Sequence, residues 1–308
     1  MQKVLRIGTR DSQLAVWQAT LVQGLLKEAG VSSELVYIKS EGDIDTVTPL
    51  YALGVQGVFT KTLDAALLNN RIDIAVHSMK DVPTQLAHGI QQAAVLKRAS
   101  YKDILVYKDS IDFLDDRNSK AIIATGSIRR IAQWLHRYPN HRTENLRGNV
   151  NTRLRKLDES NWNGAIFAAA GLERINLRPE TSIDLDWMLP APSQGAIMVV
   201  CREGDEYAFD ACQSFNDETT ALGTKIEKDF LRVLMGGCST PISALAEIHT
   251  DVIRFRGNIC SPDGADLVEV NLERNRSAST NLGEEAARQI LTDKKAQHII
   301  ETVRNGKH

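Results

Sequence analysis

The chain has 308 residues, more than one simple core accommodates, since single domains run to about 100–200 residues. Apolar residues make up 43% and charged residues 25%, a balance that excludes a disordered polymer and predicts that the whole chain folds. A formal net charge of -2 excludes a chain built as a whole for nucleic acid, and the lack of an apolar run of about 20 residues excludes a membrane-spanning helix.

In chain order, Val4 to Ile7 predicts a short strand. Thr9-Arg10-Asp11-Ser12 follows, then a helical pattern through Leu14, Trp17, Leu21, Leu25 and Leu26, with Asp11 or Ser12 as its cap. Leu35 to Ile38, after the Gly30 stop, completes a β-α-β unit. The polar, glycine-spaced segment from Ser40 to Gly57 reads as a lid-like loop. A helix over Thr60 to Asn69 leads into the strand Ile72 to Val76, whose carboxyl end is crowded by His77-Ser78-Met79-Lys80-Asp81-Val82-Pro83.

After Lys97 the pattern restarts, with strands at Ala121 to Ala124, Thr143 to Leu146 and Ala165 to Ala169, and helices at Ser127 to Arg137 and Asn149 to Leu157. Pro190 to Gly195 reads as a hinge, and Ala196 to Cys201 as an apolar strand returning to the first lobe. From Glu218 come a long helix to Met235, three strands with a turn at Ser261-Pro262-Asp263-Gly264, and a closing helical region. The expected architecture is therefore α/β: two periplasmic-binding-protein-like lobes with a cleft between them, plus a small C-terminal α+β domain. Its boundaries are 1–96 with 196–214, 97–195, and 215–308. Ligands of open α/β sheets sit at the carboxyl ends of strands, where both lobes place their charges.

Between Arg117 and Lys156 the basic residues face a single acid, Glu144, so this stretch should meet an anion. Arg129 and Arg130 fall one turn into a helix that opens at Thr125-Gly126-Ser127 directly after a strand. Free N–H groups, the positive helix end and two guanidinium forks then converge, a setting for carboxylate or phosphate. A solvated helix face is the bland alternative. The arrangement recurs in Leu146-Arg147-Gly148-Asn149 with Arg153, and more weakly at Arg10 to Ser12, which weighs against it.

Asp81, set between an apolar strand and Val82-Pro83, should face the cleft and stay ionised among cations, suited to stabilising positive charge or shuttling a proton; a plain salt bridge is the competing role. His77 has no visible partner and reads as structural. Cys238, in Gly236-Gly237-Cys238-Ser239-Thr240-Pro241, is a thiol in a glycine turn that fits attachment or nucleophilic chemistry, whereas Cys201 sits on an apolar strand. Without paired cysteines or histidines at zinc spacing, no metal knuckle or disulfide framework is indicated. Trp134 and Tyr138 share one helix and should pack, so the basic stretch lacks the interleaved aromatics of a nucleic-acid site.

Seven ordered motifs carry a resemblance: Leu5-Arg6-Ile7-Gly8-Thr9-Arg10, His77 to Pro83, Gly126-Ser127-Ile128-Arg129-Arg130, Leu146-Arg147-Gly148-Asn149-Val150, Ala170-Gly171-Leu172, Gln194-Gly195-Ala196 and Gly237-Cys238. Together they resemble the porphobilinogen deaminases, also called hydroxymethylbilane synthases. The resemblance implies a monomeric, cytoplasmic transferase of tetrapyrrole and haem biosynthesis that joins four porphobilinogen molecules head to tail with loss of ammonia. The primer would be a dipyrromethane cofactor held by a thioether to Cys238.

Each pyrrole ring bears an acetate and a propionate. The resemblance therefore implies anion-binding roles for Arg10, Ser12, Lys80, Thr125, Ser127, Arg129, Arg130, Arg147, Gly148, Asn149, Arg153, Ala168 and Gln194, stacking by Phe59, and a catalytic carboxylate at Asp81. Gln56, Gly126, Pro192-Ser193 and Met235 depart from the family's usual residues. The competing class is a non-catalytic two-lobed anion-binding protein, which needs neither Cys238 nor a cleft aspartate and is usually exported; the N-terminal sequence lacks the pattern of an export signal.

Overall fold

The computed structural model describes residues 3–39, 60–116, 118–234 and 240–304. The expected lid at 40–57, together with Phe59, Arg117, Met235 and the Cys238 turn, lies outside the described residues.

The first lobe contains β1 (Leu5–Thr9), α1 (Gln13–Glu28), β2 (Ser33–Tyr37), α2 (Lys61–Leu68), β3 (Ile74–Ser78) and β4 (Ile90–Val95). The second contains β5 (Asp103–Tyr107), β6 (Ile122–Ala124), α3 (Ile128–Arg137), β7 (Arg142–Glu144), α4 (Val150–Glu159), β8 (Gly164–Ala168), α5 (Ala169–Glu173) and β9 (Ser182–Asp184). After these come β10 (Ile197–Arg202), α6 (Glu206–Gln213) and α7 (Glu218–Val233). The chain closes with β11 (Ile242–Ile248), β12 (Val252–Cys260), β13 (Leu267–Asn275), α8 (Leu282–Leu291) and α9 (Lys294–Arg304).

The two lobe sheets have matching topologies, β2-β1-β3-β10-β4 and β7-β6-β8-β5-β9. In each, three parallel strands are completed by a fourth that runs antiparallel to both of its neighbours. That fourth strand, β10 or β5, is the first one formed after the chain crosses between lobes, so each crossover is locked into the sheet it enters. The crossovers also bond to each other: Ala99 N donates to Gly195 O at 3.1 Å. Gly195 has φ +88, and a Cβ there would stand 2.7 Å from Ser100 O, so backbone conformation and close approach both require glycine.

β3 reads as a continuous apolar run because both of its faces are covered. Ile74 and Val76 pack with Leu5, Ala19, Val22 and Leu26 on the α1 side, while Ala75 faces Leu63, Leu67 and Ile72 on the α2 side. Burying such side chains contributes about 1.5–3 kcal/mol each. In the third unit β11, β12 and β13 form an antiparallel sheet, and Ile226 and Phe230 of α7 with Ala286 and Ile290 of α8 share its core with Phe255 of β12.

The expected elements recur with shifted ends: β3 starts two residues later than predicted, and β7 stops at Glu144, leaving Leu146 buried in a loop. Five elements had no counterpart in the sequence reading: β4, β5, α5, β9 and α6. Trp134 is fully buried against Tyr138, His141 and Trp187, in line with its expected packing role. Cys201, Cys212 and Cys260 are free and buried.

Candidate active site

The carboxyl ends of β1, β3, β6 and β7 each lead into a turn that bears charge. Arg10 follows β1, and Ser12 occupies the N-cap of α1 in extended conformation without a side-chain cap bond. Ser127 does the same for α3, its N–H turned back to Thr125 Oγ1 at 3.3 Å, so the first turns of both helices keep N–H groups that no capping side chain takes. α4 differs: Asn149 Oδ1 accepts from Thr152 N at 2.9 Å, a true cap. Gly148 stands at φ +111, and its carbonyl accepts from Arg153 Nε at 2.7 Å, which draws that guanidinium back over the turn.

The turns after β6 and β7 touch. A Cβ on Gly126 would lie 2.5 Å from Leu146 O, so the glycine that departs from the family's usual residue brings Arg147 close to the opening of α3. Asn151 Nδ2 donates to Gln13 Oε1 at 2.9 Å, joining α4 of the second lobe to α1 of the first.

Arg129 and Arg130 are arranged differently from the sequence expectation. Both are buried, and both grip Asp103 at the start of β5: Arg129 Nη2 reaches Oδ2 at 2.7 Å, and Arg130 Nη2 and Nε reach Oδ1 at 2.7 and 3.1 Å. Arg129 Nη1 donates to Leu189 O and Arg130 Nη1 to Ile166 O. Against the raising effect of burial, the charges of Arg129 and Arg130 and a bond from Gln194 Nε2 hold Asp103 down at about 2. Two guanidinium charges on one carboxylate leave a positive wall whose side chains are already fixed. Gln194 is fixed as well, donating to Tyr101 O and to Asp103.

Facing this wall, Lys80 and Asp81 form a 3-10 turn after β3. Burial pushes the Lys80 ammonium down to about 8; Asp81 and Asp103 oppose the shift, Arg130 and Arg129 add to it. Arg153 is pushed down to about 10 by burial and by the charges of Arg130 and Arg147, with Asp81 opposing. Charges of the two lobes thus act on each other across the cleft, and cations outnumber the carboxylates Asp81 and Asp103. The charge of Arg10 acts on buried His77. His77 is buried, in keeping with its structural reading, and its Nε2 lacks a hydrogen bond among the described residues. Ala168 ends β8 at the foot of α5.

Three groups that sequence reading missed hold this arrangement. Asp103 was hidden because its arginine partners lie 26 and 27 residues away. Glu227 is fully buried and binds Arg98, and Lys228 reaches from α7 to the Asp81 turn. The available signal for Glu227 was a charge on the apolar stripe Gly223, Ile226 and Phe230 of one helix.

Fold and site together define a two-lobed α/β protein whose cleft carries an excess of cations near one half-buried carboxylate, Asp81. The family model described as "Porphobilinogen deaminase, dipyromethane cofactor binding domain" matches residues 5–210, and "Porphobilinogen deaminase, C-terminal domain" matches residues 221–292. A porphobilinogen deaminase of Pelotomaculum thermopropionicum is 40% identical over 94% of both chains. The chloroplastic porphobilinogen deaminase of Oryza sativa is 41% identical over 87% of this chain and 77% of its own. A probable porphobilinogen deaminase of Methanocaldococcus jannaschii is 44% identical over 84% and 89%. Among solved structures, an ancestral cationic amino acid solute-binding protein aligns with 73% of this chain and 93% of its own at 15% identity and a TM-score of 0.44. The chain belongs to the porphobilinogen deaminase family, which favours the enzyme over a non-catalytic anion-binding protein.

The family's dipyrromethane cofactor carries four carboxylates on two rings. A cleft in which burial and like charges depress Lys80 and Arg153 is one in which added carboxylates relieve repulsion, so the residues present fit that group. No helix among the described residues is long and apolar enough to cross a membrane.

Proposed function

We propose that this chain is a hydroxymethylbilane synthase. It joins four porphobilinogen molecules head to tail with release of ammonia, on a dipyrromethane primer held through a thioether by Cys238, and then frees the linear tetrapyrrole. One observation carries the reading: half-buried Lys80 of the first lobe and Arg153 of the second both feel the half-buried carboxylate of Asp81, with buried Arg129, Arg130 and Arg147 adding to the excess of cations. When bound, the dipyrromethane supplies the free pyrrole carbon to which substrate is joined.

Arg10, Lys80, Arg147, Arg153 and the α1 and α3 openings at Ser12, Thr125 and Ser127 hold acetate and propionate groups. Arg129 and Arg130 contribute mainly charge, because Asp103 and main-chain carbonyls engage them. Asn149 and Gly148 shape the turn that presents Arg147 and Arg153, Gln194 fixes Asp103 beneath it, and Ala168 leaves room at the end of β8. Asp81 accepts pyrrole N–H groups and offsets the positive charge that develops as the substrate amine departs; Phe59 stacks on a ring. A preorganised group of this kind is commonly worth about 3 kcal/mol of barrier. The three sheets support a division into 1–96 with 196–214, 97–195 and 215–308. The proposed enzyme acts as a cytoplasmic monomer.

Intact mass tests the primer. Denatured wild-type protein should exceed its sequence mass by two pyrrole units, and Cys238→Ala should lose that excess; an unmodified mass in protein that turns over porphobilinogen would refute the attachment. Asp81→Asn should keep the excess while kcat falls by about 100-fold or more. Near-normal turnover would remove the role given to Asp81.

A further inference from the structure

Helix α7 precedes residue 238 in the sequence, and Lys228 on that helix leaves the third unit altogether. Its ammonium donates to Val82 O at 2.7 Å and to Pro83 O at 3.1 Å. Those two carbonyls close the turn that carries Asp81. β3 ends at Ser78, Met79 to Asp81 make a single 3-10 turn, and Val82 N returns to Met79 O at 3.2 Å.

The inner side of the turn is pinned by Met79 N donating to Ala196 O and by the buried side chains of Met79 and Val82. On the outer side Pro83 has no N–H to offer, so the turn leaves the strand without a backbone donor at that residue. Lys228 supplies two charge-assisted bonds there instead. Its charge also reaches under the strand end: His77 is pushed down to about 3 by burial, then by Arg10 and Lys228.

We propose that Lys228 is a positioning residue for Asp81, fixing the turn that bears the carboxylate to the helix that leads to the primer's attachment point. The proposal rests on the assignments of Asp81 and Cys238 made above. A carboxylate that must meet a pyrrole N–H within hydrogen-bond distance tolerates little displacement, and a shift of about 1 Å costs on the order of 100-fold in rate. Lys228 itself touches neither substrate nor primer in this scheme. It acts through the geometry of residues 81 to 83.

The test uses whole, primed enzyme carrying Lys228→Met or Lys228→Arg, each also combined with Asp81→Glu, and reads kcat, KM and intact mass. Lys228→Met should keep the two-pyrrole mass excess and the KM for porphobilinogen within about threefold, while kcat falls about 10- to 100-fold. Lys228→Arg, which restores a donor to the two carbonyls, should recover kcat to within about fivefold. On the Asp81→Glu background Lys228→Met should cost less than about threefold more, because the two residues act through one geometry.

Full kcat in Lys228→Met, a loss that arginine does not recover, or a loss that multiplies independently of Asp81→Glu would each overturn the proposal. Should Lys228→Met fail to fold, Lys228→Gln takes its place, with kcat expected between the Met and Arg values and wild-type kcat as the refuting result. A wild-type protein lacking the mass excess, or inert toward porphobilinogen, would overturn the assigned function and this inference with it.

Discussion

Replacing Arg98 should destabilise the protein more than any surface substitution, because it strands a charge. Arg98 lies in the first crossover; its Nη1 and Nη2 reach the two oxygens of Glu227 at 2.6 and 3.1 Å, and its Nε donates to Gln194 O in the second crossover at 2.8 Å. Glu227 is fully buried and also accepts from Ser193 N at 2.6 Å and Ala246 N at 2.8 Å. One carboxylate therefore ties both crossovers and β11 to α7.

Arg98→Leu leaves that carboxylate with backbone donors alone in a dry site, and breaking a buried pair from one side costs about 3–5 kcal/mol. Against a total stability of about 5–15 kcal/mol, this is a large share. Glu227→Gln leaves one acceptor oxygen where two serve, so either Ser193 N or Ala246 N faces an amide NH2, and it should cost about 1–3 kcal/mol. Urea unfolding followed by tryptophan fluorescence reads both. An Arg98→Leu cost below about 1 kcal/mol would refute the claim that the carboxylate depends on its guanidinium.

Ser193, one of the departures noted from sequence, has φ +65, the region that favours glycine, and its buried Oγ has no hydrogen-bond partner among the described residues. Ser193→Gly removes both penalties at the cost of glycine's larger unfolded entropy and should stabilise by about 1 kcal/mol, raising Tm by about 2 °C; a lower Tm would show that the serine conformation is not strained. His77 gives a pH dependence with a definite sign. Its folded pKa of about 3 lies below the unfolded value near 6.5, so its contribution is present above pH 6.5 and is lost as pH falls toward 3, at up to about 1.4 kcal/mol per pH unit. Urea midpoints at pH 7.5, 6 and 5 should fall less steeply in His77→Leu than in wild type, and equal slopes would show that His77 is not held neutral.

Much of the architecture was legible because local periodicity and turn chemistry decide it. The β-α-β opening, the crossover at Pro190 to Gly195, the return of β10 and the α+β close all announce themselves within a few residues. β4 escaped because Gln91 and Gln92 break its apolar alternation, and its pairing slips at Val199 and Val200 of β10. β5 is a compact buried run, Ile104 to Val106, between the charged Lys102-Asp103 and Lys108-Asp109, and its place between β8 and β9 is a matter of long-range pairing alone. The arginine turns were legible for the same local reason. What each arginine touches was not, since Asp103 meets Arg129 and Arg130 only once the crossover strand enters the second sheet.

That non-local partner changes the physical picture of the cleft. A row of arginines on exposed turns would have to be immobilised each time a carboxylate binds, losing about 1.5–2 kcal/mol of side-chain freedom apiece. Here Asp103 has already fixed Arg129 and Arg130, and Gly148 O has fixed Arg153 Nε, before any ligand arrives. Burial then divides the work among the acids. Asp103 and Glu227 are fully enclosed and saturated by donors, the first holding the cations and the second the crossovers, so neither can meet substrate. Asp81 is half-buried at the end of β3, on a turn steadied from the third unit by Lys228. Of these three carboxylates it alone keeps access to the cleft, which is the physical ground for placing the chemistry there.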